Sequence, residues 1–140
     1  MKIKIKKLSE NAVIPKYARH GDAGMDLTVT DFEALDGYHI KYKFGIAIEI
    51  PLGYVGLVFP RSSIYKQCQI LTNSVGVIDS GYRGEICAVM MGNNYDLSYK
   101  VGDRAAQIMI IPYPQIEFEE SNDLSESERG SGGHGSTGNN

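Results

Sequence analysis

Ile46-Ala-Ile-Glu-Ile-Pro-Leu-Gly-Tyr-Val-Gly-Leu-Val-Phe59 holds two short runs rich in β-branched and aromatic residues, parted by the turn former Pro51-Leu-Gly53. Runs of this length and composition, bounded by Gly and Pro, read as β-strands. The same pattern recurs outward in both directions. Lys2-Ile-Lys-Ile-Lys6 alternates with period two, and Glu85-Ile-Cys-Ala-Val-Met-Met91 and Gln107-Ile-Met-Ile-Ile111 are further β-rich runs. Gly92-Asn-Asn94, Val101-Gly-Asp103 and Pro112-Tyr-Pro114 punctuate them. Many short strands with turns between them predict an all-β sandwich or barrel.

The chain has 140 residues, enough for one domain that buries roughly two thirds of its unfolded surface. Its formal charge of −3, with both signs mixed throughout, excludes a non-specific nucleic-acid binder, which needs a basic face to displace counterions. Cys68 and Cys87 lie outside any CxxC or zinc spacing and read as two reduced, half-buried thiols. The positive start at Lys2 to Lys7 is not followed by an apolar stretch, and no 18-residue apolar run occurs. The expectation is a soluble, cytoplasmic protein with no membrane or nucleic-acid partner.

Pro60-Arg-Ser-Ser63 opens the one stretch that reads as helical, with a serine available to cap the first turn and Ile64 to Gln67 to continue it. Arg61, Ser62 and Ser63 at such a start form an anion site from side chains and free N–H groups. In Asn73-Ser-Val-Gly-Val-Ile-Asp-Ser-Gly-Tyr-Arg-Gly-Glu85, the turn former Asp79-Ser80-Gly81 lies between apolar flanks and predicts a β-hairpin with the acid at its bend. A carboxylate so fixed can order and deprotonate a water. Asp26 in Asp22-Ala-Gly-Met-Asp-Leu27 sits beside small residues, and Gly102-Asp-Arg-Ala-Ala-Gln107 places Arg104 and Gln107 at a strand start.

Residues 121–128 are acidic and serine-rich with only Leu124 apolar, which predicts a solvated connector after a β-barrel of residues 1–120. Residues 129–140 then form a mobile tail, Arg129-Gly-Ser-Gly-Gly-His-Gly-Ser-Thr-Gly138 carrying five glycines in ten positions. A Gly/Ser tail is commonly an inert linker. Here one guanidinium, three hydroxyls and bare amides are all donors suited to phosphate oxygens. Fully extended, residues 121 to 140 span on the order of 60 Å, so a neighbouring subunit is within reach.

Ala23-Gly-Met-Asp-Leu27, Pro60-Arg-Ser-Ser63, Gly76-Val-Ile-Asp-Ser-Gly-Tyr-Arg-Gly84, Gly102-Asp-Arg-Ala-Ala-Gln107 and the tail motif, in this order, resemble the five motifs of the trimeric dUTPase family. The resemblance covers essentially the whole chain. It implies a distorted jelly-roll-like barrel with one short helix and a flexible Gly-rich tail. It implies hydrolysis of dUTP to dUMP and pyrophosphate by water attack at the α-phosphate, which limits uracil in DNA and supplies dUMP for dTMP synthesis.

By the same resemblance Asp79 is the general base, and a hydrated Mg²⁺ is associated with Asp26 through water. Arg61, Ser62, Ser63, Arg104, Gln107, Arg129, Gly135, Ser136 and Thr137 surround the phosphates. Main-chain groups around Asn73, Gly76, Val77, Ile78 and Cys87 read uracil, and Tyr82 packs beneath the sugar. The active sites are shared within a homotrimer. Two positions depart from the family pattern. His134 stands where phenylalanine usually stacks on the base, and Ser63 where glycine is frequent. Two other readings are weighed beside this one. A dCTP deaminase relative carries a glutamate after the hairpin aromatic, where this chain has Arg83. A nucleotide-gated interaction protein would use the tail without turnover.

Overall fold

The structure, a computed structural model, describes residues 1–92 and 98–133. Its described residues form ten strands: β1 Lys4–Lys7, β2 Met25–Thr28, β3 Asp31–Ala34, β4 His39–Lys43, β5 Ile46–Glu49, β6 Tyr54–Pro60, β7 Gln69–Leu71, β8 Gly76–Ile78, β9 Cys87–Gly92 and β10 Arg104–Pro112. The pairings are antiparallel. Two four-stranded sheets, ordered β2-β10-β6-β8 and β3-β4-β9-β7, are joined by the small β1-β5 sheet. The result is all-β, as the turn spacing predicts, and jelly-roll-like, as the family resemblance implies.

The core lies between the two larger sheets. Leu27, Val58 and Ile108 of one layer cluster with Ile40, Tyr42, Ala88 and Met90 of the other, and Phe44, Ile46 and Ile86 join them. Each of the larger aliphatic and aromatic side chains stabilises the fold by about 1.5–3 kcal/mol on burial. The Tyr42 hydroxyl and the Gln69 amide bond each other at 3.0–3.2 Å inside this core. Among the described residues no helix is long and apolar enough to cross a membrane.

Two local expectations are corrected. Ser62–Gln67 is a 3₁₀ helix, with Arg61 rather than a serine at its N-cap and no side-chain capping bond. Six residues with no acid in the first turn leave the tighter i→i+3 bond as the form that closes such a short piece. It stops where Cys68 turns left-handed at φ 49°. The Asp79 segment is also not a hairpin, because β8 pairs with β6 while β9 pairs with β4 and β7. Instead Ile86, fully buried, donates its N–H to Ile46 and accepts that of Phe44. The Asp79 turn therefore crosses between sheets.

Candidate functional site

β10 crosses the centre of its sheet and presents one end to β2 and β6. Its register against β2 slips between Arg104 and Ala106, a bulge of the kind that re-aims a side chain at a sheet end. Arg104 Nη1 donates to Asp26 Oδ2 at 2.9 Å, and Arg61 Nε donates to Asp26 Oδ1 at 2.7 Å. Arg61 Nη1 also donates to the Arg104 carbonyl at 3.2 Å. Gln107, opposite Asp26 in register, donates its amide to the Pro60 carbonyl at 3.0 Å. A Cβ at Gly24 would fall 3.2 Å from Gln107 Cδ, so glycine there makes room for the amide. Ser63 and Lys66 line a concavity of about 320 Å³ together with Arg61 and Arg104, while Ser62 is exposed beside it.

The second cluster is built on the turn after β8. Tyr82 N–H closes it on the Asp79 carbonyl at 3.0 Å, and Arg83 Nη1 braces it through the carbonyls of Ser80 and Tyr82. The Tyr82 hydroxyl donates to the Glu85 carbonyl at 3.0 Å, laying the ring over Gly84, where a Cβ would stand 2.5 Å from Tyr82 Cζ. Glu85 is tied in turn to the Gly45 N–H at 2.9 Å. The side chains of Val77, Ile78, Asp79, Tyr82, Glu85, Cys87 and Lys41 bound a concavity of about 320 Å³. Asp79 is exposed and makes no side-chain hydrogen bond among the described residues. Burial, then the Glu85 charge, holds the Cys87 thiol above its ordinary range. Asn73 turns the chain into β8, its carbonyl accepting from Val75 at 2.6 Å, and Gly76 pairs with Val58.

The structure thus brings Asp26, Arg61, Arg104 and Gln107 together, and separately Gly76, Val77, Ile78, Asp79, Tyr82 and Cys87. It does not bring the two groups together within one chain. Ile78 lies opposite Gly56 on β6 and Gly76 opposite Val58, so Asp79, just past β8, falls level with Val55 near one end of β6, and Arg61 lies just beyond the other end. At about 3.3 Å per residue the two are about 20 Å apart along the strand. Arg129 is exposed and bonds the Gly132 carbonyl within its own turn. His134, Gly135, Ser136 and Thr137 lie outside the described residues. Sequence reasoning missed Lys41 as a lining residue, although His39-Ile-Lys-Tyr-Lys43 alternates and so puts Lys41 on one face with Lys43. It also missed Lys66, whose 3₁₀ position no periodicity announces.

With this geometry in hand, comparison with known proteins is decisive. The family model described as dUTPase matches residues 10–138. The chain belongs to the dUTPase family. Similar dUTPase relatives include the deoxyuridine 5'-triphosphate nucleotidohydrolases of Crocosphaera subtropica, 43% identical over 99% of both chains, and Gloeothece citriformis, 41% identical over 99% of this chain and 97% of that one. Among solved structures, a mutant dUTPase of Staphylococcus bacteriophage 80alpha with dUpNHpp superposes with a TM-score of 0.85 at 27% identity, covering 98% of each chain. A mutant dUTPase from phage phi11 of S. aureus, solved to show coordination of a structural Mg(II) ion, gives a TM-score of 0.75 at 27% identity over 89% of this chain and 99% of that one.

Proposed function

We propose that this chain is a dUTP diphosphatase that cleaves dUTP into dUMP and pyrophosphate. The observation that carries the reading is the Asp79 carboxylate, free of internal bonds and set by a braced turn on a concavity beside Tyr82. Asp79 takes a proton from a water whose oxygen bonds the α-phosphorus. The bond from that phosphorus to its bridging oxygen breaks, and pyrophosphate leaves with the electron pair. General-base help of this kind is worth about 10² to 10⁴ in rate, so alignment and charge stabilisation supply the rest. Val77, Ile78, Asn73 and Cys87 offer fixed main-chain groups for the uracil edge, which a cytosine would leave unpaired. Arg83 is spent on two carbonyls, and nothing at its position supplies a deaminase carboxylate.

The reading includes a homotrimer with shared sites. Asp79 and Arg61 are separated by the length of β6, so one phosphate chain meets both only if another copy supplies one of them. Ile116 and Phe118, 69% and 90% exposed, also have no cover in their own subunit. Arg129, His134, Gly135, Ser136 and Thr137 are proposed to close over the nucleotide. A divalent cation, here Mg²⁺, fits the donor set in one way. Among the described residues no group of three acids, histidines or cysteines is placed to hold it, and Asp26 already has an arginine on each oxygen. Mg²⁺, which keeps several waters, would be held by phosphates with Asp26 reached through water. When bound it offsets phosphate charge.

Purified chain mixed with each deoxynucleoside triphosphate and Mg²⁺ is expected to release pyrophosphate from dUTP alone. Equal release from all would remove the base-reading role of the turn, and no release from dUTP would end the proposal.

A further inference from the structure

The Asp26 carboxylate stands between two guanidinium groups, at 2.7 Å from Arg61 and 2.9 Å from Arg104. The side chains of Asp26 and Arg61 are only 24% and 26% exposed, so solvent screens this pair less than a surface pair. Arg61 and Arg104 carry like charges, yet Arg61 touches the Arg104 main chain. A negative charge between them is what lets the two stay side by side. Each arginine has five N–H donors. Arg61 spends two of them, on Asp26 and the Arg104 carbonyl, and Arg104 spends one on Asp26. Most of the donors of both remain for phosphate oxygens.

We propose that Asp26 is a positioning residue that fixes Arg61 and Arg104 as a single fork for the phosphate chain and does so without a metal ion. The proposal rests on the dUTP reading of this site and takes it further, because it gives the carboxylate a role that survives removal of the cation. The β10 bulge at Ala105 is what turns Arg104 toward Asp26, and the Gln107 bond to Pro60 ties the Arg61 loop to the same strand. Losing the central charge lets the two cations repel and splay, so the donors meet phosphate one at a time.

The test is calorimetric binding of inorganic pyrophosphate to the full chain in EDTA, beside dUTP turnover of the wild type in Mg²⁺. Asp26→Asn is expected to weaken pyrophosphate about tenfold in EDTA, the loss of a hydrogen bond to a charged group. Adding Arg104→Gln to it is expected to cost little more, since residues acting as one unit are not additive. Equal affinity of wild type and Asp26→Asn in EDTA, with a difference only in Mg²⁺, would overturn the proposal in favour of a metal role. Additive losses in the double variant overturn it too, as does a wild type that hydrolyses dUTP yet ignores metal-free pyrophosphate. A wild type that neither binds pyrophosphate nor hydrolyses dUTP sinks the functional reading itself. Where Asp26→Asn does not fold, Asp26→Glu keeps the charge and is expected to bind pyrophosphate in EDTA within a few-fold of the wild type, and a tenfold loss with it would overturn the role given to the charge.

Discussion

The Asp79 side chain contributes nothing to its own subunit's packing that the structure records: it is exposed, and its carboxylate makes no hydrogen bond among the described residues. Asp79→Asn is therefore expected to lower kcat by about 10² to 10⁴ while leaving the melting temperature unchanged. Pyrophosphate release and a thermal melt on the same sample check this, and a large drop in melting temperature would place the residue in the fold instead. Gly84 tests the neighbouring aromatic. Its added Cβ would meet the Tyr82 ring, the far end of a side chain that can swing away, so Gly84→Ala should cost only about 1 kcal/mol, that of the lost Tyr82 bond. The KM for dUTP should rise several-fold if the Tyr82 ring packs beneath the sugar as the family resemblance implies, because that ring is displaced. An unchanged KM would detach Tyr82 from the sugar. Most of the residues of both clusters, Lys41 and Lys66 apart, were legible in short motifs. The ion-pair triad was not, because positions 26, 61 and 104 meet only when three strands are in register, and no local pattern encodes that.

Among elements, those legible in the sequence were the strands with a clear alternating or β-branched apolar run: β1, β5, β6, β9 and β10. β3, Asp-Phe-Glu-Ala, is exposed along its whole length and, with only Phe32 large and apolar, gives too short an alternation to stand out, so pairing to β4 defines it. The hairpin failed for a related reason. A turn signal fixes where the chain bends and says nothing about which strands the flanks choose. β4 and the segment before β10 carry a further test. Burial raises the phenols of Tyr42 and Tyr99 above their ordinary value. A raised folded value means their contribution is complete below about pH 10 and is lost as pH rises through the folded value. Melts from pH 8 to 11 should fall steeply near the top of that range. Tyr42→Phe should start lower, having orphaned Gln69, and fall less steeply. Parallel curves would show that these phenols do not govern alkaline unfolding.

At the scale of the whole molecule, the length of β6 separates two half-sites that the chemistry requires to meet. Asp79→Asn and Arg61→Ala chains, each inactive alone, are expected to regain activity when unfolded and refolded together. Random mixing in the proposed trimer would leave roughly a quarter of sites with both groups intact. No recovery in an assay of the mixture would return the site to one subunit and contradict the register. The Asp79 turn has a last consequence, because it is strung between the two layers instead of lying within either. Any slip of one layer over the other is felt first at that carboxylate, while both layers keep their internal ladders. Gentle warming should therefore extinguish turnover some degrees before the far-ultraviolet dichroism changes, so the enzyme would fall silent while still looking folded.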